Sequence, residues 1–320
     1  MAIEAHKKRG ASFTLGHNMW SDLTDEEFFR TRLGLNSRAS NLIHQYAHRL
    51  VPPMDMDLKI PASKDWVAEG AVTAVKNQDY CGGCWAFSAA GAMEGAYQIA
   101  GHELTNLSVQ DLISCDYYSK WTPYFMENES SSGCMGGQMS YAFDYIQAHG
   151  ITAEGNNPFK SQMGQQPPCP YANIQLNKNQ TAVASVNWHA PKPGLKTNVT
   201  IDGFVAVFSN DQKALKRAVA RQPVSVAIQA NHSVFHNYKS GIISGADEFR
   251  QCGTSLDHGV LVVGYGVDNG IEYWKVKNSW GPDWGEEGYV RLAMGYEQKG
   301  GFCGILKQPT YPFNLTNNPS

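Results

Sequence analysis

The sequence predicts an α+β protein in two segregated parts, helices first and strands later. Two observations carry this. From Cys84 onward runs an Ala-rich segment with large apolar groups at Phe87, Met93, Tyr97 and Ile99, which reads as a buried helix packed closely on its neighbours. Shorter helices follow near residues 108–114, opened by Ser108, and near residues 139–148. After about residue 200 the pattern changes to short β-branched runs at 224–228, 259–263, 273–277 and 288–292, which read as strands. Helices grouped ahead of strands place the two kinds of element in separate layers or lobes.

Composition narrows the function. A chain of 320 residues, 42% of them hydrophobic, can bury one large core or two smaller ones side by side. Its net charge of -3 comes without a basic stripe, which counts against a nucleic-acid binder. No apolar run approaches the roughly 18 residues of a membrane span, and the first residues lack the apolar centre of a signal peptide. The seven cysteines are an odd number, so three pairs would leave one free thiol. Asn-x-Ser/Thr sequons occur at Asn106, Asn128, Asn179, Asn198, Asn231 and Asn314, where about two would arise by chance. These signs point to the secretory route. Signs of export without an export signal predict a chain truncated at its front.

The front segment, residues 1–57, is polar. Its one periodic stretch begins at Thr24, an N-cap with Glu27 as capping-box partner three residues on. Val51-Pro52-Pro53 breaks structure, and an extended linker is expected to Pro61. Segments 116–133 and 171–200 carry sequons and no clear period, and read as surface loops.

The chemistry gathers at three places. In Gln78-Asp79-Tyr80-Cys81-Gly82-Gly83-Cys84-Trp85, a cysteine stands at the first turn of a helix. There, outward-pointing N–H groups and the helix dipole favour the thiolate, which is the nucleophilic form. A thiolate nucleophile needs a base, and the base an orienting group. His258 heads a strand, and Asn278 offers an amide oxygen for one ring N–H, with Trp280 to shield that bond from water. Blander readings compete. Free cysteines are usually buried packing residues, and Cys81-x-x-Cys84 could be a redox or zinc pair, although no second such pair exists.

These residues resemble the papain and cathepsin family of cysteine proteases. The resemblance runs through Cys81–Ser88, Asp257-His258 and Asn278-Ser279-Trp280-Gly281. It also covers Ile60-Pro61, Asp65-Trp66, Gly70–Thr73, Cys134-Met135-Gly136-Gly137 and Gln222–Val226. It implies a papain-like two-subdomain fold, with a helical left part, an antiparallel barrel-like right part, and the active-site cleft between them. It also implies a cysteine endopeptidase working through a Cys84 thioester, with His258 as general acid and base. Asn278 would orient His258, and Gln78 would give its amide to the oxyanion hole with the Cys84 N–H. Gly136 and Gly137 would pair with the substrate backbone. Gln138, Met139, Ala227, Leu256, Gly259 and Gln308 would line the pocket for the residue one before the scissile residue, with Trp280 also at the substrate. Mostly apolar or small lining predicts Leu, Val or Phe there, while Gln308 at the floor could admit polar groups. The disulfides implied are Cys81–Cys134, Cys115–Cys169 and Cys252–Cys303. No cofactor or metal is implied.

The front also resembles the family's propeptide, since Gly16-x-Asn18-x-Trp20-x-Asp22 matches its motif with Trp in place of Phe. The helix that normally precedes this motif is missing apart from a last turn near Ile3. The division expected is a partial inhibitory propeptide at 1–57 and a peptidase domain at 58–320, made as a precursor and activated by propeptide removal. The resemblance further implies polypeptide substrates, the chain's own propeptide and cystatin-like protein inhibitors as partners, a monomer, no nucleic acid, and a secreted or lysosomal/vacuolar location. Four residues depart from the family. Asp79-Tyr80 replace Gly-Ser, Gly83 replaces Ser or Ala, and Gly259 stands where Ala is common. Asp79, Tyr80 and Gly83 keep open the alternative of a catalytically inactive papain-like binding or decoy protein.

Overall fold

The computed structural model describes residues 3, 6, 11–35, 59–116, 131–176, 182–186, 198–244, 252–295 and 299–318. The expected linker up to residue 58 and residues 117–130 of the first expected loop lie outside them. The helical part contains α2 (Cys84–Ile99), α3 (Val109–Cys115) and α4 (Met139–His149), and α1 (Asp25–Arg32) lies in the front segment. Each start has its physical reason. Thr24 Oγ1 accepts from the Glu27 N–H at 3.3 Å while Glu27 Oε2 accepts from the Thr24 N–H at 2.9 Å, the reciprocal cap expected. Ser108 Oγ caps α3 through the Asp111 N–H at 3.0 Å.

The strands are β1 (Phe13–Leu15), β2 (Lys64–Asp65), β3 (Ala172–Leu176), β4 (Ala182–Val186), β5 (Asn198–Ala206), β6 (Val224–Ile228), β7 (Tyr238–Ile243), β8 (His258–Asp268), β9 (Ile271–Lys277), β10 (Tyr289–Ala293) and β11 (Thr310–Asn318). Helices α5 (Gln212–Arg221) and α6 (Ser233–His236) lie among them. The main sheet runs β1-β7-β10-β9-β8-β6-β11-β5, with β2 beside β8. Its pairs are antiparallel except for β10 with β7. The sheet expected to be barrel-like is not closed, because β1 and β5 stand at opposite ends of the strand path.

The stretch 171–200 departs from its reading as a loop. β3 and β4 pair as a two-stranded antiparallel sheet, and β5 begins at Asn198. Ala172-Asn-Ile-Gln-Leu176 does alternate apolar and polar, but in only five residues amid polar neighbours.

Two apolar cores form. One, under the main sheet, gathers Val226, Val262, Trp274, Trp280 and Trp284, and it takes in Phe13, Leu15, Trp20 and Phe28 from the front segment. The other, around α2, gathers Trp85, Met93, Ile113, Met139 and Phe143. Helix α2 lies between the two lobes and is bolted to the sheet. Ser88 Oγ donates to Val260 O at 2.7 Å, and Ser225 Oγ donates to Ser88 O at 3.0 Å. Its glycines let the backbone approach. A Cβ at Gly91 would meet Leu261 Cδ2 at 2.9 Å, and one at Gly95 would meet Pro223 Cγ at 2.6 Å and Ala71 O at 3.0 Å.

Gly95→Ala therefore reverses the usual sign of this exchange. Ala for Gly in a helix ordinarily stabilises by roughly 1 kcal/mol, but overpacking against a ring and a carbonyl should give a net loss of about 1–3 kcal/mol. Urea denaturation followed by tryptophan fluorescence checks it, and an unchanged or raised midpoint would show that the contact yields.

Candidate active site

Cys84 is the first residue of α2, after Gly83 at the N-cap position, and its side chain is buried. The approach of the two lobes at this point is set by glycine. A Cβ at Gly259 would lie 3.2 Å from Trp85 Cα and 3.3 Å from Cys84 O, so the residue after His258 packs directly on the start of α2. The pairing of β6 with β8 sets Ile228 opposite His258 and Ala227 opposite Gly259.

His258 and Asn278 come together as the sequence reading expects. The His258 Nε2–H donates to Asn278 Oδ1 at 2.8 Å, and that oxygen also accepts from the Ser279 N–H at 2.9 Å. The ring of Trp280 lies 4.8 Å from the imidazole, centroid to centroid, and covers it. With Nε2 committed to Asn278, Nδ1 carries no hydrogen bond and is the ring's remaining proton acceptor.

Gln78 is fully buried and held from two sides. Its N–H donates to Ser279 O at 2.8 Å, and its Oε1 accepts from Ser279 Oγ at 2.6 Å. The side-chain amide is thereby turned so that Nε2 donates to Cys81 O at 2.8 Å and to Arg32 O at 3.0 Å. The second acceptor belongs to the front segment, a contact the sequence reading did not anticipate.

After α1 ends at Arg32, Leu33 turns extended, and residues 33–35 run across the site. The Gly137 N–H donates to Gly34 O at 2.9 Å, and the Leu35 N–H donates to Asp257 O at 3.1 Å. Leu35 and Gly137 form a parallel bridge. A Cβ at Gly34 would overlap the Gly82 carbonyl, so only glycine passes at this depth. Gly137 is equally constrained, since its Cβ would fall 2.6 Å from the Trp85 ring. Aromatic packing anchors the strap. Phe28 stacks on His236 at 4.0 Å and meets Trp280 edge-on at 5.0 Å. His236 Nε2 also bonds Trp20 O at 2.8 Å, and Asn18 Nδ2 donates to His236 O at 2.8 Å. The front motif thus docks beside the ring that shields His258.

Enclosure sets the protonation states. Burial pushes the Cys84 thiol up to about 11, against the N–H groups of Gly259, Gly34 and Trp85, which favour the thiolate. Burial likewise pushes His258 down to about 4, opposed by its bond to Asn278. Covered by the strap, the pair is therefore thiol and neutral imidazole near pH 7.

The remaining expected positions divide. Met139, Ala227 and Leu256 share one apolar cluster, and a Cβ at Gly259 would touch Met139 Sδ at 3.1 Å. Gln138 is buried at the N-cap position of α4, next to Gly137. Gly136 has φ 120°, a conformation suited to glycine. Gln308 is buried in the approach to β11, whose Thr310 pairs with Ser225 of β6. Disulfides join Cys81–Cys134, Cys115–Cys169 and Cys252–Cys303, which leaves Cys84 as the free thiol. Arg32, Gly34 and Leu35 are the site residues that sequence reasoning missed. The only signal was a lone glycine between two leucines just past a helix.

The chain is similar to proteins already known. The family model described as "Papain family cysteine protease" matches residues 60–313. Oryzain beta chain from Oryza sativa subsp. japonica is 41% identical over 325 residues, which cover 99% of this chain and 60% of that protein. Vignain from Ricinus communis is 40% identical over 329 residues, covering 100% of this chain and 79% of that protein. Among solved structures, the ragweed pollen allergen Amb a 11 cysteine protease in its proform superposes with a TM-score of 0.75 at 33% identity, covering 98% of this chain and 83% of that one. Recombinant stem bromelain precursor gives 0.75 at 34% identity, covering 98% and 87%.

The raised thiol gives a pH prediction. In the intact chain the thiolate fraction at pH 8 is about one in a thousand, so alkylation of Cys84 by iodoacetamide should be slow and should climb about tenfold per pH unit beyond pH 9. Cutting the chain between residues 36 and 58 and releasing the front should raise the rate at pH 7. A plateau below pH 8 in the intact chain would contradict the burial argument.

Proposed function

The chain belongs to the papain family of cysteine proteases, and from that premise we propose that it is a cysteine endopeptidase precursor with Cys84 as nucleophile, His258 as acid and base, Asn278 as orienting group and Gln78 as oxyanion donor. The observation that carries the reading is that this site already holds a peptide backbone. Gln78 Nε2 donates to a main-chain carbonyl, that of Arg32, while Gly137 receives the strap as a short strand. A substrate would use the same donors.

The chemistry follows from the groups present. Once the front segment leaves and water enters, the desolvation holding Cys84 up and His258 down falls away, and the thiol proton can pass to the imidazole. The thiolate attacks the scissile carbonyl, and the resulting oxyanion is held by Gln78 Nε2 and the Cys84 N–H at the start of α2. Protonated His258 gives its proton to the leaving amine, which yields the thioester. Neutral His258 then takes a proton from water, whose oxygen attacks the thioester, and the carboxylic acid departs as the thiol re-forms.

The proposed division is a propeptide at 1–57 and a peptidase domain at 58–320, with residues 11–35 supplying the inhibitory contacts. Met139, Ala227, Leu256 and Gly259 favour an apolar residue, Leu, Val or Phe, one before the scissile residue, with Gln138 and Gln308 flanking that pocket. Three disulfides suit an oxidising compartment, which supports secretion or a lysosomal/vacuolar site. A cystatin-like inhibitor would enter the cleft that the strap fills, and the enzyme would act as a monomer.

The test uses the full chain, cut between residues 36 and 58, on Leu-Arg or Phe-Arg fluorogenic amides at mildly acidic pH with mild reductant. Turnover that vanishes in Cys84→Ala is expected, and Gln78→Ala should lower kcat by roughly 10²–10³. No turnover from folded protein with its disulfides intact would overturn the reading in favour of a non-catalytic binding protein.

A further inference from the structure

Arg32 is fully buried, yet it lies at the surface junction of the strap and the loop before Cys81. Its guanidinium carbon sits 3.5 Å from the ring centre of Trp20 and 4.8 Å from that of Tyr80. Its Nη1 donates to the Asp79 carbonyl. Burial pushes Arg32 down to about 10, and the Asp79 carboxylate opposes that shift. Three walls therefore enclose one cation, the ring faces of Trp20 and Tyr80 and an accepting carbonyl oxygen, an arrangement suited to a planar guanidinium.

Two of the walls belong to the body of the molecule and are built in place. Asp79 has φ 48°, a left-handed conformation, and its N–H is tied to Asn77 Oδ1 at 3.0 Å. The Tyr80 N–H donates to Gln162 O at 2.9 Å, and the residue is 45% exposed, high for so large an aromatic group. These are the residues that stand where the family has Gly-Ser. Only Trp20 comes from the front segment, so when that segment leaves, Trp20 and Arg32 depart together and the Asp79–Tyr80 seat is empty.

The position of the seat relative to Cys84 gives its use. Leu35 pairs with Gly137, next to the pocket that would hold the acyl side of a substrate. The Gly34 N–H lies on Cys84, and Arg32 lies on the far side, at Gln78 and Asp79. We propose that Asp79 and Tyr80 form a guanidinium-binding subsite on the leaving-group side of Cys84, occupied by Arg32 in the precursor and by an arginine of the peptide substrate, one or two residues after the scissile bond, in the active enzyme. This rests on the protease reading above. Lysine fits less well, because a compact ammonium cannot stack flat on Tyr80.

The experiment has two arms, both on full chain cut between residues 36 and 58. In the first, internally quenched peptides differ only in the first or second residue after the scissile bond, as Arg, Lys, Ala or Glu. At one of these positions, Arg is expected to exceed Ala in kcat/KM by about tenfold, or about 1.4 kcal/mol, with Lys between them and Glu lowest. The Arg/Ala ratio should fall to near one in the double variant Asp79→Gly with Tyr80→Ser and return largely in Tyr80→Phe. Equal rates for Arg and Ala at both positions, or a ratio that survives the double variant, would overturn the proposal while leaving the protease reading intact. The second arm needs no catalysis. Binding of a synthetic peptide of residues 28–37 to Cys84→Ala protein, cut in trans, is compared with its Arg32→Ala form by fluorescence anisotropy. A roughly tenfold loss that disappears in the double variant supports the seat even if no peptide is hydrolysed, and no loss refutes it.

Discussion

The close contact of α2 with strands β6 and β8 is the constraint on which the rest depends. Ser88 ties the helix to both strands through its hydroxyl and its carbonyl, and Gly91 and Gly95 remove the side chains that would hold the layers apart. At the end of that contact, Gly259 rests on the backbone of Cys84 and Trp85. The start of the helix that carries Cys84 and the start of the strand that carries His258 are thus held against each other by backbone packing. Such rigid support holds reacting groups in place more reliably than loops do.

Around this junction, electrostatics follows from access to water. The same strap that fills the cleft with main chain also dries it, and drying penalises both the thiolate and the imidazolium. The strap occupies the Gln78 and Gly137 donors with its own main chain, and the burial around Cys84 and His258 favours their neutral forms. Gly34 makes the close approach sterically feasible, and Phe28 against Trp280 and His236 supplies the apolar grip.

Much of this was legible in the sequence, and the parts that were not share a cause. The capping box at Thr24 and Glu27, the starts of α2, α3 and α4, and the strands through Val226 and Val262 carry local signals, in caps and in period, and each is found near where it was read. The approach of His258 to Asn278 was legible only because motif context stands in for long-range contact. Strands β1, β7 and β11 carry too little alternation to announce themselves, and their pairing spans distant parts of the chain. The strap is hidden for the same reason. Nothing local to Leu33-Gly34-Leu35 says that it crosses Cys84. Asp79 and Tyr80 were visible as oddities, but their meaning needed Arg32 beside them.

The short strand β1 has one more implication. It hydrogen-bonds along β7, pairing Phe13 with Gly241 and Thr14 with Ser240, and so finishes one margin of the sheet. Shedding the front segment strips that margin of its partner, Leu15 opposite Tyr238 included. Maturation therefore creates a raw seam as well as an open cleft. Exposed seams of this kind recruit other strands, and proteins blunt them with charge. Lys239, already turned to solvent in the middle of the seam, puts a charge of that kind on it.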